Sequence, residues 1–65
     1  MLFINGTETQ LEGPVSVSGY LEAHGYKAEQ IAVELNEEIL PKTAYAKTML
    51  KDGDVMEIVQ FMGGG

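Results

Sequence analysis

Apolar positions along this 65-residue chain fall in short runs whose spacing switches between a two-residue and a helical period. Leu2 to Asn5, followed by Gly6, reads as a strand entering an Asn-Gly turn, the strongest short-range hairpin signal, with Thr7 to Leu11 as the returning strand. Glu12-Gly13-Pro14 closes it. From Ser16 the period changes. Val17, Tyr20, Leu21 and His24 stand at i, i+3, i+4 and i+7, which predicts one face of a short helix with Ser16 as N-cap and Gly25 as its stop. Gly19 weakens that helix locally. Ile31 to Leu35 alternates as a half-buried strand, Asn36-Glu37 turns, and Glu38-Ile39-Leu40 runs to Pro41, whose missing N–H suits a sheet edge. Thr43 to Leu50 fits no single period; a helical turn packed through Tyr45 and Leu50 is one way to read it. Lys51-Asp52-Gly53-Asp54 is a tight-turn signal, and Val55 to Phe61 is the longest strand candidate.

Two strands, a helix and further strands at this length predict an α+β fold, a mixed sheet with one helix on one face. The first and last strands are expected side by side at its centre, and the crossover between them favours parallel pairing. If Leu2, Ile4, Met56 and Ile58 face the helix, alternation throws Phe3, Val59 and Phe61 onto the other face, where no second helix is available to cover them. The bland reading of these three is scattered surface hydrophobes. The sharper one is a contiguous docking patch.

The length allows one domain with a thin core, expected over 1–62 with a glycine tail at 63–65. The chain has no cysteine, which removes disulfides, thiolate metal sites and cysteine nucleophiles, and points to the cytoplasm. No run has the length of a signal peptide or a membrane span. Ten acidic residues against four basic give a net charge of -6, which repels phosphate backbones and anionic lipid, so neither nucleic acid nor a membrane is the expected partner. The same acidity serves solubility, or attraction to a basic groove on another protein.

Catalytic candidates inside the chain are few. His24 sits in a helical stripe beside Tyr20 with no partner set by spacing. Glu37-Glu38 is a carboxylate pair at a turn, and adjacent strand residues point to opposite faces. Ser16 and Ser18 flank a helix start and lack a base, so capping accounts for them. No metal-ligand set stands out. What remains is the ending, Val59-Gln60-Phe61-Met62-Gly63-Gly64-Gly65, in which three glycines follow a strong strand. Three residues reach about 10 Å. Glycines pass a narrow channel and leave the last carbonyl carbon unhindered. A carboxylate there is ionised at neutral pH and needs activation to react, most simply adenylation on another enzyme. The plainer account of such an ending is a frayed terminus or an expression scar.

Taken in order, Ile4-Asn5-Gly6, Ala32 to Asn36, Pro41-Lys42, Asp52-Gly53-Asp54 and the ending Glu57 to Gly65 resemble the ThiS family, the sulfur carrier proteins of thiamine biosynthesis. The resemblance spans essentially the whole chain and implies the β-grasp fold of ubiquitin. It implies a carrier rather than an enzyme, one that binds no cofactor itself. The Gly65 carboxylate would be adenylated by an E1-like adenylyltransferase using ATP and magnesium, then converted to a thiocarboxylate by a sulfur donor such as a cysteine desulfurase. Thiazole synthase would consume the sulfur. Gly64 and Gly65 match the family's diglycine, and Gly63 looks like an accessory glycine that enters the partner's active site with them. Glu37 stands where the family often has glycine, and Tyr45 where a larger aromatic is frequent.

Three other readings stay open at this point. One is a sulfur carrier of another pathway, such as the small subunit of molybdopterin synthase. Another is a ubiquitin-like modifier joined through Gly65 to lysines. The last is an interaction module that works through Phe3, Val59 and Phe61 alone.

Overall fold

A computed structural model describes residues 1–61; the expected tail at 63–65 lies outside them, as does Met62. The first hairpin pairs β1 (Leu2–Ile4) with β2 (Thr7–Thr9). It turns through Asn5 at φ 52° and Gly6 at φ 79°. Positive φ at both central residues is what a type I′ turn requires, and Asn and Gly tolerate it best. The returning strand is shorter than Thr7 to Leu11. Leu2 pairs with Thr9, so β1 has no residue left to face Gln10 or Leu11.

Helix α1 (Val17–Ala23) begins where the sequence puts it: the Ser16 hydroxyl accepts the Gly19 amide at 3.0 Å. Its last turn differs from expectation, because His24 is the C-cap and not a helical residue. Gly25 at φ 79° follows it. The Gly25 amide bonds the Glu22 carbonyl at 3.2 Å and the Tyr26 amide bonds the Leu21 carbonyl at 2.9 Å. That pair is a Schellman cap, and glycine carries it without a Cβ penalty.

After a short 3-10 turn at Ala28–Gln30 come β3 (Ile31–Leu35) and β4 (Glu38–Leu40). The Thr43 to Leu50 stretch resolves into a 3-10 turn at Lys42–Ala44 and further turns. It is not a free loop. The Val17 amide bonds Thr48 O at 2.8 Å, Ser18 bonds Tyr45 O at 3.0 Å, and the Leu50 amide bonds Val15 O at 2.9 Å. The segment therefore fixes the start of α1, and Tyr45 and Leu50 are buried as anticipated.

The closing strand β5 (Val55–Gln60) ends one residue before Phe61. The sheet order is β2-β1-β5-β3-β4, with β5 parallel to β1 and antiparallel to β3. The last strand is thus the central one, and Pro41 follows the edge strand β4.

Alternation sorts the sheet into two faces. Leu2, Ile4, Ile31, Val33, Met56 and Ile58 point inward and form the core with Val17 and Leu21 of α1 and with Tyr45 and Leu50. Ile31, Val33, Val17 and Met56 are fully enclosed, each stabilising the fold by roughly 1.5–3 kcal/mol relative to exposure. One helix and one crossing segment cover one face. The other face carries no layer among the described residues.

Candidate functional site

The centre of the candidate site is β5, because it leads to the glycines. Its backbone is held on both flanks by asparagines from the two hairpin turns. Asn5 sends its amide to Met56 O at 2.9 Å, and its Oδ1 accepts the Ile58 amide at 2.7 Å. β1 turns away at this point, so the side chain supplies the acceptor that the next strand residue would have offered. Asn36, at φ 54°, acts similarly from the β3–β4 turn. Its amide bonds Val55 O at 2.7 Å, its Oδ1 accepts the Val55 amide at 2.9 Å, and its Nδ2 donates to Asp54 at 3.0 Å.

Asp54 is a buried carboxylate at the root of β5, only 2% exposed. Burial by itself pushes its carboxyl up. Hydrogen bonds from Asn36 and the Lys51 amide, together with the Lys51 ammonium at 3.4 Å, outweigh that and hold it below the ordinary aspartate value. At the far end of β5 the Phe61 amide donates to Gln30 O at 2.8 Å. Beside it the Lys42 ammonium donates to Ile31 O at 2.8 Å, past the point where β4 has ended and on the residue opposite Gln60. The strand is tied down to the last described residue.

The predicted patch is split by the register. Val59 (52% exposed) and Phe61 (49%) stand on the open side of the sheet near the outgoing end. Phe3 does not join them. It is half-buried and pairs with Val55 and Glu8, at the incoming end of β5, and Glu57 lies between Val55 and Val59 on the same face. Alternation puts Phe3 on the same face, but the parallel register sets it beside Val55, four residues before Val59 along β5. The sequence reading also passed over Ile39, which is 76% exposed and pairs with Glu34 on this face, and Ala32, which pairs with Val59. Ile39 was legible: an isoleucine at the middle of an edge strand, out of phase with Val33, has to face outward.

The remaining candidates lie apart from β5. His24 stacks on Tyr20, with ring centroids 4.0 Å apart, and its Nδ1 sits 3.0 Å from Tyr20 O, a helix-end arrangement. Ser16 and Ser18 share a hydroxyl contact of 3.2 Å at the N-cap. A groove of about 500 Å³ runs between α1 and residues 9–15, past Pro14, Val15 and His24. No β5 residue lines it. Among the described residues no group of His, Asp and Glu is arranged to hold a metal ion, and no helix is long and apolar enough to cross a membrane.

Among the described residues, a five-stranded mixed sheet, one α-helix across it and a central last strand whose chain is held as far as Phe61 define a β-grasp domain. Comparison with known proteins agrees. The crystal structure of the thiamine biosynthesis protein (ThiS) of Geobacter metallireducens superposes with a TM-score of 0.81 at 40% identity, covering 98% of this chain and 97% of that one. The sulfur carrier protein ThiS of Thermus thermophilus is 38% identical over the full length of both chains. A thiazole synthase of Paramagnetospirillum magneticum is 44% identical over 98% of this chain, which spans only 20% of that longer protein. The ThiS family profile matches residues 2–65, and the chain belongs to this family of non-catalytic sulfur carriers of thiamine biosynthesis.

Proposed function

We propose that this chain carries sulfur for thiazole formation as a thiocarboxylate on Gly65. An E1-like adenylyltransferase would let the Gly65 carboxylate attack the α-phosphorus of ATP, with magnesium and release of pyrophosphate, turning a poor electrophile into an acyl-adenylate. A sulfur donor such as a cysteine desulfurase would present a persulfide whose outer sulfur attacks the acyl carbon and expels AMP. A thiol reductant would then cleave the resulting acyl disulfide, leaving the thiocarboxylate on Gly65, the donor's free thiol and an oxidised reductant disulfide. Gly63 and Gly64 thread the partner's active site, where a side chain would obstruct passage. Val59 and Phe61, with Phe3 further back, form the apolar contact surface around the tail's root.

The observation that carries this reading is the bond from the Phe61 amide to Gln30 O at 2.8 Å, which fixes the point from which the glycines depart. Four residues beyond Phe61 reach about 13–14 Å, enough to enter a pocket while the folded body stays outside. Similarity to one segment of a thiazole synthase favours that enzyme as the acceptor, since polypeptides that work on each other are found joined in one chain.

The test is intact-mass measurement after incubation with the cognate adenylyltransferase, ATP, magnesium and a sulfur donor. Exchange of one oxygen for sulfur at Gly65 is expected. An unchanged mass under conditions that convert an authentic carrier would overturn the proposal, as would full activity after deletion of Gly64 and Gly65.

A further inference from the structure

We propose that the open face of the sheet is read by charge: the adenylyltransferase that takes the glycine tail inserts an arginine or lysine side chain between Glu34 and Glu57. This rests on the carrier reading above. The register pairs Glu34 of β3 with Glu57 of β5, both exposed on the face opposite α1. Directly opposed residues hold their Cβ atoms roughly 4.5–5.5 Å apart, and like charges so placed destabilise a sheet. Neither takes part in an ion pair among the described residues, where the ion pairs are Lys51 with Asp54 and the Met1 ammonium with Asp52. The free domain thus holds a repulsive pair at the middle of its uncovered face.

The surroundings suit a basic side chain better than a metal ion. No third carboxylate or histidine joins the two glutamates in a metal-holding group among the described residues. The flanks are apolar instead. Ile39 pairs with Glu34 on one side, and Val59 with Ala32 lies one step toward the tail. A guanidinium is weakly hydrated and planar, packing on such neighbours while its donors bridge two carboxylates.

Reach fixes the occupant. Four residues beyond Phe61 span about 13–14 Å, so an enzyme acting on Gly65 must sit close to the outgoing end of β5. Glu57 is four residues back along the strand, roughly 13 Å at the usual rise. A standard interface covers about 800 Å² per partner, a patch roughly 30 Å across, so a footprint centred near Phe61 includes both glutamates. The net charge of -6 draws a basic surface toward that face from a distance.

The experiment measures steady-state thiocarboxylation of the full chain by its cognate adenylyltransferase, varying carrier concentration and salt. Wild type is compared with Glu34→Gln/Glu57→Gln and with Glu34→Lys/Glu57→Lys, and each is checked by thermal unfolding. The glutamine pair is expected to unfold at the same or a higher temperature and to raise KM for the carrier about tenfold. Its kcat should stay unchanged and its salt dependence should flatten. The lysine pair should raise KM further. A glutamine pair with wild-type KM and salt response, while wild type is converted normally, overturns the docking proposal and leaves the carrier reading standing. A wild-type chain that is never converted overturns both.

Discussion

Asn5 Oδ1 accepts the Ile58 amide at 2.7 Å across 53 residues of sequence, so the first hairpin turn holds the middle of the last strand. Replacing Asn5 tests two roles that can be separated. Asn5→Gly keeps the positive φ and removes only the acceptor, leaving the Ile58 N–H beside the core without its partner; a loss of about 1–3 kcal/mol is expected. Asn5→Ala adds left-handed strain of roughly 1–2 kcal/mol and should be worse. Urea denaturation gives the ranking, and faster hydrogen exchange at the Ile58 amide in Asn5→Gly shows that the bond is the cause. Equal stability of the glycine variant and wild type would refute the assignment.

Asp54 makes stability depend on pH in a definite direction. Its folded carboxyl lies below the unfolded value, because hydrogen bonds and Lys51 outweigh burial. The unfolded state therefore binds the proton more readily, and the stabilisation is full above the unfolded pKa of about 3.9. It is lost as pH falls from there through the lower folded value. Asp54→Asn, which turns one acceptor into a donor facing Lys51 N–H or Asn36 Nδ2, should cost about 1–3 kcal/mol at neutral pH. The gap from wild type should close in acid. Urea midpoints from pH 7 downward check this, and a gap that stays constant would exclude Asp54 as the source.

Glu37 holds φ at 71° in the second central position of the β3–β4 turn, where its Cβ is crowded. Relief of that strain by Glu37→Gly is worth roughly 1–2 kcal/mol, against about 0.5–1 kcal/mol of added chain entropy in the unfolded state. A net gain of about 0.5–1 kcal/mol is expected, or several degrees in Tm for a domain of this size. Thermal unfolding decides it.

The outgoing apolar pair should matter to binding and hardly to folding. Val59→Ala with Phe61→Ala removes two half-exposed side chains, and a stability change within about 0.5 kcal/mol is expected. Loss of anchoring side chains at the centre of an interface should raise KM for the activating enzyme about tenfold. Phe3→Ala should do the reverse, costing more stability and less affinity, because Phe3 is half-buried at the other end of β5. If Phe3→Ala weakens binding as much as the pair, the contact surface runs along the whole strand.

The sequence was most informative where local chemistry decides the outcome. Asn5-Gly6, Ser16, Gly25 and the alternation in Ile31 to Leu35 each carry their own geometric requirement, and each was found where expected. The parallel pairing of the first and last strands followed from the crossover, and the fold class from the order of elements. What escaped was long-range and specific to register. Nothing near Asn5 or Asn36 announces that its side chain will bind a strand beginning some twenty to fifty residues later. The burial of Asp54 depends on Asn36 arriving from another hairpin. Phe3 and Val59 share a face, as alternation predicts, but how far apart they lie along it depends on how two strands are aligned, which no single strand encodes. Thr43 to Leu50 has no period because its partners are the start of the helix and the loop before it.

The bond between Phe61 and Gln30 also sets how the domain bears mechanical load. Traction on the tail is delivered along the axis of a strand with neighbours on both sides, and ladder hydrogen bonds lie across that axis. They are stretched together in shear, not opened one at a time as a zip. Force applied along β5 from Phe61 is therefore shared across the ladder rather than concentrated on a single bond.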